Sequence, residues 1–372
     1  MSAGGPIEVV TVVGAGSGGF GLLANLGAAG YRLRLLDRDE ARLAPFRERG
    51  GIAIEGGARD FALIELASSD SAACVAGADL IAVCTGGTAQ PGFVREVAPL
   101  LEAGQILLLI QGNTGGSLAA RRELAAGGCR ADVDVAEFDT YPYGVGRPEP
   151  ARAQLRFSKR WNQIAAFPGR RSEAVFARLA PLFPQAVMAE TVASTSFTNM
   201  NAAFHVAVCV ANAGRIESGR PFKFYAEGVT PAVANLLAAL DAERLAIARA
   251  LGAAIPDIPD WIDRAFGFRE ATLAETFQRL TYDPKGPYQF TPAPSSFSHN
   301  YVAEDVPAGL MPMAALGAAA GVPTPTIDAI IRLACVFAGR DFAAEARTLE
   351  RMGLAGRDAA GIQRVLLDGF AA

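Results

Sequence analysis

EVVTVVGAGSGGFGLLANLGAAGYRLRLLDRD, residues 8–39, holds the reading that decides the fold. A β-branched run ends in a Gly-rich turn, an apolar helical stretch follows, and a second apolar run closes on an acid. In the turn, Gly14-Ala15-Gly16-Ser17-Gly18-Gly19, each glycine has a separate physical task. Gly14 permits a tight bend, Gly16 lets backbone approach a pyrophosphate, and Gly19 allows the helix to lie close on the strand. Ser17 and Gly18 open the helix, whose free N–H groups then face the phosphates. Asp37 ends the second strand 18 residues after Gly19 and is suited to accept hydrogen bonds from adenosine ribose hydroxyls. Its charge repels a 2′-phosphate, whereas the adjacent Arg38 suits one. NAD is therefore the expected cofactor, with NADP left open.

Outward from this motif, the first 190 residues alternate apolar runs with helical patterns. IEVVTVV, RLRLLD, FALIEL, DLIAVCT, QILLLI and VDVAEF read as successive strands of a buried parallel sheet. FGLLANLGAAG and PGFVREVAPLLEAG supply crossovers, and two more short strands flank a helix starting near Ser172. The architecture expected is a Rossmann-type, doubly wound α/β domain over 1–190. The loops Thr85-Gly86-Gly87 and 111–116 fall at the carboxyl edge of its sheet, where ligands of such folds bind. From about residue 195, Ala/Leu-rich stretches at helical spacing (195–218, 230–251, 307–320, 325–338) define an all-helical domain over 191–372. DPKGPYQFTPAPSSFSHNY, 283–301, interrupts it with a long loop, which in a compact domain is more often functional than idle.

Composition narrows the function. The chain has 372 residues, 51% hydrophobic and 19% charged, which suits two sizeable cores and excludes a disordered chain. A net charge of −4, with no dense basic patch, argues against a nucleic-acid partner. No apolar stretch reaches the length of a membrane span, so no membrane partner is expected. The N-terminal MSAGGPIEVVTVV lacks a basic region and reads as a strand of the fold, not a signal peptide. Five cysteines without CxxC spacing fit free thiols in a reducing cytoplasm, and neither a disulfide framework nor a metal site is expected. Small-molecule substrates are the partners expected; the oligomeric state is open, with a homodimer as the form to test.

The chain spends only two histidines, and one of them, His205, lies inside TNMNAAFHVAVCV, residues 198–210. A helix here is apolar nearly all round and therefore buried. Asn201, His205 and Asn212 form a polar stripe on one of its faces, and such a stripe must meet polar partners or a cavity, because unsatisfied burial costs about 1–3 kcal/mol per group. A satisfied core histidine is the bland reading. The implied redox cofactor favours another: hydride transfer to a carbonyl or imine needs a proton donor, and imidazole is suited to that role. A catalytic imidazole wants an orienting carboxylate. Asp305 is the suggestive candidate, though spacing alone does not separate it from Glu304.

Four stretches carry a family resemblance. PAPSSFSHNYVAEDVPAGLMPMAALGAAAGVPTPTIDAIIRLA (292–334), with EARTLERMGLAGRDAAGI (345–362), resembles the helical domain of octopine/nopaline (opine) dehydrogenases. Residues 13–39 and AEFDTYPYGVGR (136–147) look like that family's cofactor domain. The resemblance covers nearly the whole chain and is most specific at EDVP and GVPTP. It implies reductive condensation of an amino acid's amino group with a 2-keto acid, using NADH or NADPH. It further implies that His205 donates and accepts the proton, that Asp305 is its charge partner, and that Asn201 lines the site. One departure stands out. The family motif commonly places Arg before the Tyr of the EDVP segment, whereas this chain reads His299-Asn300-Tyr301. These three residues become candidate substrate contacts, and the missing carboxylate anchor must be replaced nearby or the substrates must differ. His299 is the nearest replacement, and its protonation would add an ionisation below about pH 7. Two other readings compete: a 2-keto/2-hydroxy acid oxidoreductase that uses no amine, and a non-catalytic NAD sensor.

Overall fold

The structure, a computed structural model, describes residues 5–370. Met1–Gly4 of the quoted N-terminal stretch lie outside the described residues. The chain divides into two compact units, one comprising residues 1–112 and 116–192, the other residues 113–115 and 193–372.

The first unit runs β1 (Val9–Val13), α1 (Ser17–Ala29), β2 (Arg32–Leu36), α2 (Glu40–Arg49), β3 (Gly51–Glu55), β4 (Phe61–Leu63), β5 (Leu66–Ser68) and α3 (Ser71–Val75). It continues with β6 (Leu80–Val83), α4 (Gln90–Val97), β7 (Ile106–Leu109), α5 (Gly116–Ala126), β8 (Asp134–Phe138), β9 (Tyr143–Glu149) and β10 (Arg152–Ser158). β11 (Asn162–Phe167), α6 (Ser172–Leu179) and β12 (Ala186–Met188) complete it. The main sheet has eight strands in the order β12-β11-β8-β7-β6-β1-β2-β5. All neighbours pair in parallel except β11 against β8. β1, β6 and β7 are buried throughout, as the near-continuous apolar runs of a sheet covered on both faces require. Sequential βαβ units carry the chain outward from β1 in both directions, the doubly wound arrangement of dinucleotide-binding folds.

A second sheet, β4-β3-β10-β9, has no counterpart in the sequence reading. FALIEL, read as one strand, is divided between the two sheets. Phe61–Leu63 pairs antiparallel with β3, whereas Leu66–Ser68 pairs in parallel with β2. The break falls at Ile64 and Glu65, whose amides bond Gly50 and Leu33 carbonyls respectively. Burial explains why the run looked uniform: Ala62 faces the core while Leu63 is exposed, the alternation of an edge strand. The small sheet covers α1, and it approaches closely because a Cβ on Gly27 would stand 2.2 Å from that of Ala62.

The second unit contains α7 (Val192–Thr198), α8 (Met200–Ala211), α9 (Ala213–Glu217), α10 (Pro231–Ala250), α11 (Ile258–Phe266) and α12 (Leu273–Tyr282). α13 (Asn300–Ala303), α14 (Met311–Ala319), α15 (Pro325–Ala338) and α16 (Ala359–Asp368) follow. The single helix expected over 195–218 is three helices. Asn199 breaks it first, leaving helical geometry to cap α8 with its side chain, which accepts from the Asn201 amide. Asn212 breaks it again: its Nδ2 donates to the carbonyls of Val208 and Gly228 at 2.9 and 3.0 Å. Asn212 is therefore a helix-ending residue bonded to backbone. The helix expected from 307 opens instead as a π turn, Val306–Leu310, before α14 begins. Among the described residues no helix is long and apolar enough to cross a membrane, and all five cysteines are free.

Candidate active site

In the first unit the β1–α1 turn forms a cradle. Gly14 sits at φ +102°, and its amide donates to the Leu36 carbonyl at 2.8 Å, tying the turn to the end of β2. A Cβ on Gly19 would collide with the Gly14 carbonyl oxygen at 1.9 Å, so helix and turn pack closely there. A Cβ on Gly16 would meet nothing within 4 Å, leaving its backbone open to a ligand. Gly16 caps α1 without a side-chain bond, Ser17 is exposed, and the first turn holds no acid. An anion meets the positive end of the helix dipole there without a competing carboxylate. These residues fit a dinucleotide.

Asp37 is buried, and both its oxygens are engaged. Oδ2 accepts from the Ala15 amide at 2.7 Å and Oδ1 from the Asp39 amide at 2.9 Å. A carboxylate has about four lone-pair sites, so two remain for a ribose. Arg38 is exposed, and Arg42, which sequence reasoning missed, stands 4.0 Å from Asp37 and 3.3 Å from Asp39. Its signal was only its place in the first turn of α2.

At the carboxyl edge, the Thr85 hydroxyl is buried with no hydrogen-bond partner, and the Gly86 carbonyl accepts from Ala89 and Gln90 to close a turn. Gln90 donates to the Gln111 carbonyl at 3.0 Å, joining the loops after β6 and β7. Tyr141, also missed, bonds the Cys84 carbonyl at 3.3 Å and lays its ring where a Cβ on Gly18 would be. Nearby, Lys159 is buried beside Thr140 and Asp139; burial lowers its amine to about 8, against the opposing pull of Asp139. Burial likewise raises Asp139, whose Oδ1 accepts from Asn162 at 2.9 Å.

In the second unit α8 carries Asn201 and His205 four residues apart on one face. His205 is 8% exposed and Asp305 3%. His205 Nδ1 lies 2.7 Å from Asp305 Oδ2, within the range of a charge-assisted hydrogen bond. The Tyr301 ring stacks on the imidazole, with centroids 3.7 Å apart and planes 15° from parallel. Burial raises the Tyr301 phenol to about 12, helped by the Asp305 charge. His299 caps α13, its Nδ1 accepting from the Tyr301 amide at 3.2 Å. Burial first, and then repulsion from His205, push His299 below its ordinary value near 6.5, while Asp305 pulls the other way.

Thus His205, Asp305, Tyr301 and His299 are brought together. Asn201 lies one turn before His205 and is half-buried; Asn300 opens α13 and is exposed. Glu304, the alternative to Asp305, takes a 3.5 Å bond from Asn113. Phe224 and Tyr225, missed in the sequence, pack with ring centroids 6.4 Å from His205.

A Rossmann-type unit with an open glycine cradle, followed by a helical unit holding a buried imidazole–carboxylate pair, defines a nicotinamide-dependent dehydrogenase. The family described as NAD/NADP octopine/nopaline dehydrogenase, alpha-helical domain, matches residues 188–338. Residues 10–131 match ketopantoate reductase PanE/ApbA. An opine dehydrogenase of Arthrobacter sp. (strain 1C) is 34% identical, covering 96% of this chain and 98% of its own. Vitopine synthase of Allorhizobium ampelinum is 28% identical, over 77% of this chain and 78% of its own. The chain belongs to the opine dehydrogenase family, whose members act on CH–NH donors. Octopine dehydrogenase solved with NADH and L-arginine shares the fold, with a TM-score of 0.76, 19% identity and coverage of 98% and 99% of the two chains. So does yersinopine dehydrogenase with NADP+ bound, at TM-score 0.72, 16% identity and 99% coverage of each chain.

Proposed function

We propose that His205, oriented by Asp305, moves the proton in the NAD(P)H-dependent reductive condensation of an amino acid with a 2-keto acid. The observation that carries this reading is the buried 2.7 Å contact between His205 Nδ1 and Asp305 Oδ2. With a proton on Nδ1 facing Asp305, Nε2 is the nitrogen that exchanges protons with substrate; it has no hydrogen-bond partner among the described residues.

The amino group adds to the keto carbon, water leaves, and the C=N bond that results is reduced to a secondary amine. The reduced nicotinamide, when bound, supplies the hydride. In the forward direction, imidazolium Nε2–H gives its proton to the oxygen that departs as water; in reverse, neutral Nε2 takes a proton back. Asp305 stabilises the cationic ring and fixes its tautomer. Tyr301 holds the ring plane by stacking and, with its phenol near 12, stays neutral through the working pH range.

In this reading residues 1–190 hold the dinucleotide through Gly14, Gly16, Ser17, Gly18, Gly19, Thr85 and Gly86, with Asp37 on the ribose and Arg38 beside it. Residues 191–372 bind substrate, with Asn201, His299, Asn300 and Tyr301 as contacts. NADH and L-arginine or pyruvate accompany octopine dehydrogenase in solved structures, which supports a pairing of the same kind here. A cytoplasmic location goes with the free thiols, and assembly as a homodimer is testable by light scattering.

The test is NADH oxidation across a grid of amino acids and 2-keto acids, with product mass measured for each active pair and His205→Asn run beside the wild type. Turnover of the variant should fall roughly 100-fold or more with cofactor affinity retained. Normal turnover per folded variant molecule, with only a lower melting temperature, would make His205 a core histidine.

A further inference from the structure

Three residues of the β7–α5 connection, 113–115, cluster with the second unit although sequence on both sides belongs to the first. Each is fixed there by hydrogen bonds. The Thr114 amide donates to the Ala308 carbonyl at 3.1 Å, and its carbonyl accepts from the buried Arg347 at 2.8 Å. The Gly115 amide donates to Ser196 Oγ at 3.0 Å.

Asn113 does more than anchor. It is 1% exposed and left-handed at φ +56°. Its Oδ1 accepts from Asn199 Nδ2 at 2.8 Å, and its Nδ2 donates to Glu304 Oε1 at 3.5 Å. Asn199 is the cap of α8, the helix that carries His205, and Glu304 immediately precedes Asp305. One amide therefore bridges the start of the imidazole's helix to the residue beside its carboxylate. The position demands an acceptor on one side, a donor on the other and tolerance of positive φ. Asparagine meets all three requirements; Asp cannot donate, and Gly has no side chain to do either.

We propose that Asn113 is a positioning residue that sets the geometry of the His205–Asp305 pair through Asn199 and Glu304, an inference that rests on the proton-transfer reading of that pair. A displacement of about 1 Å in such a pair costs on the order of 100-fold in rate, so a tether at both ends carries kinetic weight.

The test uses the full-length protein with its best substrate pair and reads kcat, KM, the pH profile of kcat and NADH affinity. Asn113→Gly removes the amide without backbone strain. It should lower kcat roughly 10- to 100-fold and move the pH profile, with NADH affinity within twofold of wild type. Asn113→Asp keeps the acceptor for Asn199 but sets two carboxylates against each other, and it should also lower kcat. Adding Glu304→Gln to Asn113→Asp restores the link with donor and acceptor exchanged, and kcat should recover at least fivefold. A wild-type pH profile in Asn113→Gly, or no recovery in the double variant, would overturn the proposal, and the second readout serves if the glycine variant fails to fold. His205→Asn, run in parallel, separates the two levels: if it keeps normal turnover the parent reading falls and takes this one with it.

Discussion

Replacing Asp305 by Asn keeps the shape of the site and removes one charge. The carboxylate is buried and lies 2.7 Å from His205 Nδ1, so solvent screens the contact little. A hydrogen bond to a charged group contributes about 1.5–3 kcal/mol, and a neutral one about 1 kcal/mol. The amide therefore forfeits about 0.5–2 kcal/mol of the stabilisation given to imidazolium, or about 2- to 30-fold in rate at 1.4 kcal/mol per decade. The condensation direction therefore slows, because the cationic ring is its proposed proton donor. If the new amide turns its NH2 toward Nδ1, the proton is forced onto Nε2. Oxidation of the secondary amine, which needs Nε2 as acceptor, then suffers more than condensation. Following NADH absorbance in both directions from pH 6 to 9 measures both effects. Unchanged kcat in both directions in a properly folded Asp305→Asn protein would refute an electrostatic role for this carboxylate.

Other expectations follow from different parts of the molecule. Fluorescence titration should show NADH binding more tightly than NADPH, because Asp37 is proposed to present its negative charge to the ribose; the reverse order would shift the weight to Arg38 and Arg42. Asn300→Arg should change the ranking of accepted amino acids or keto acids while leaving NADH affinity alone; specificity constants across the grid decide it, and identical rankings would remove position 300 from the substrate site. Lys159 titrates at about 8 when folded, against an ordinary 10.5. Between these values the unfolded chain holds a proton that the folded one lacks, so this group's contribution to stability rises with pH, by at most about 1.4 kcal/mol per unit. Urea denaturation at pH 7.5, 8.5 and 9.5 should show wild type gaining on Lys159→Met across that range, and a constant difference would mean the buried amine does not titrate there.

What the sequence disclosed was local in character. The glycine turn, its flanking strand and helix, and Asp37 are contiguous in the chain and constrained by backbone geometry, so their pattern is readable. Asp305 is 100 residues from His205; the residues alone suggested it without separating it from Glu304, and the EDVP resemblance made the choice. The second sheet was illegible because Arg152 pairs with Ala53, a contact with no periodic trace between. FALIEL misled because adjacent apolar residues served two sheets. Asn212 read as a polar mark on a helix face, but asparagine also ends helices by bonding backbone. The bridge made by Asn113 left no mark in the sequence beyond a Gly-rich loop, since its meaning lies in partners on two distant segments.

The engagement of Asp37 has a consequence for how cofactor preference can change in such a chain. Its Oδ2 holds the Ala15 amide inside the glycine turn, so on the proposed reading one carboxylate would serve as both selector and brace. On that reading, exchange of Asp37 for a neutral, smaller residue would admit a 2′-phosphate and, in the same step, loosen the turn proposed to grip the pyrophosphate. Choice of nucleotide and integrity of the grip are thus not separable at this position. A shift from one dinucleotide to the other has to begin at neighbours such as Arg38 and Arg42, with the selector itself altered last.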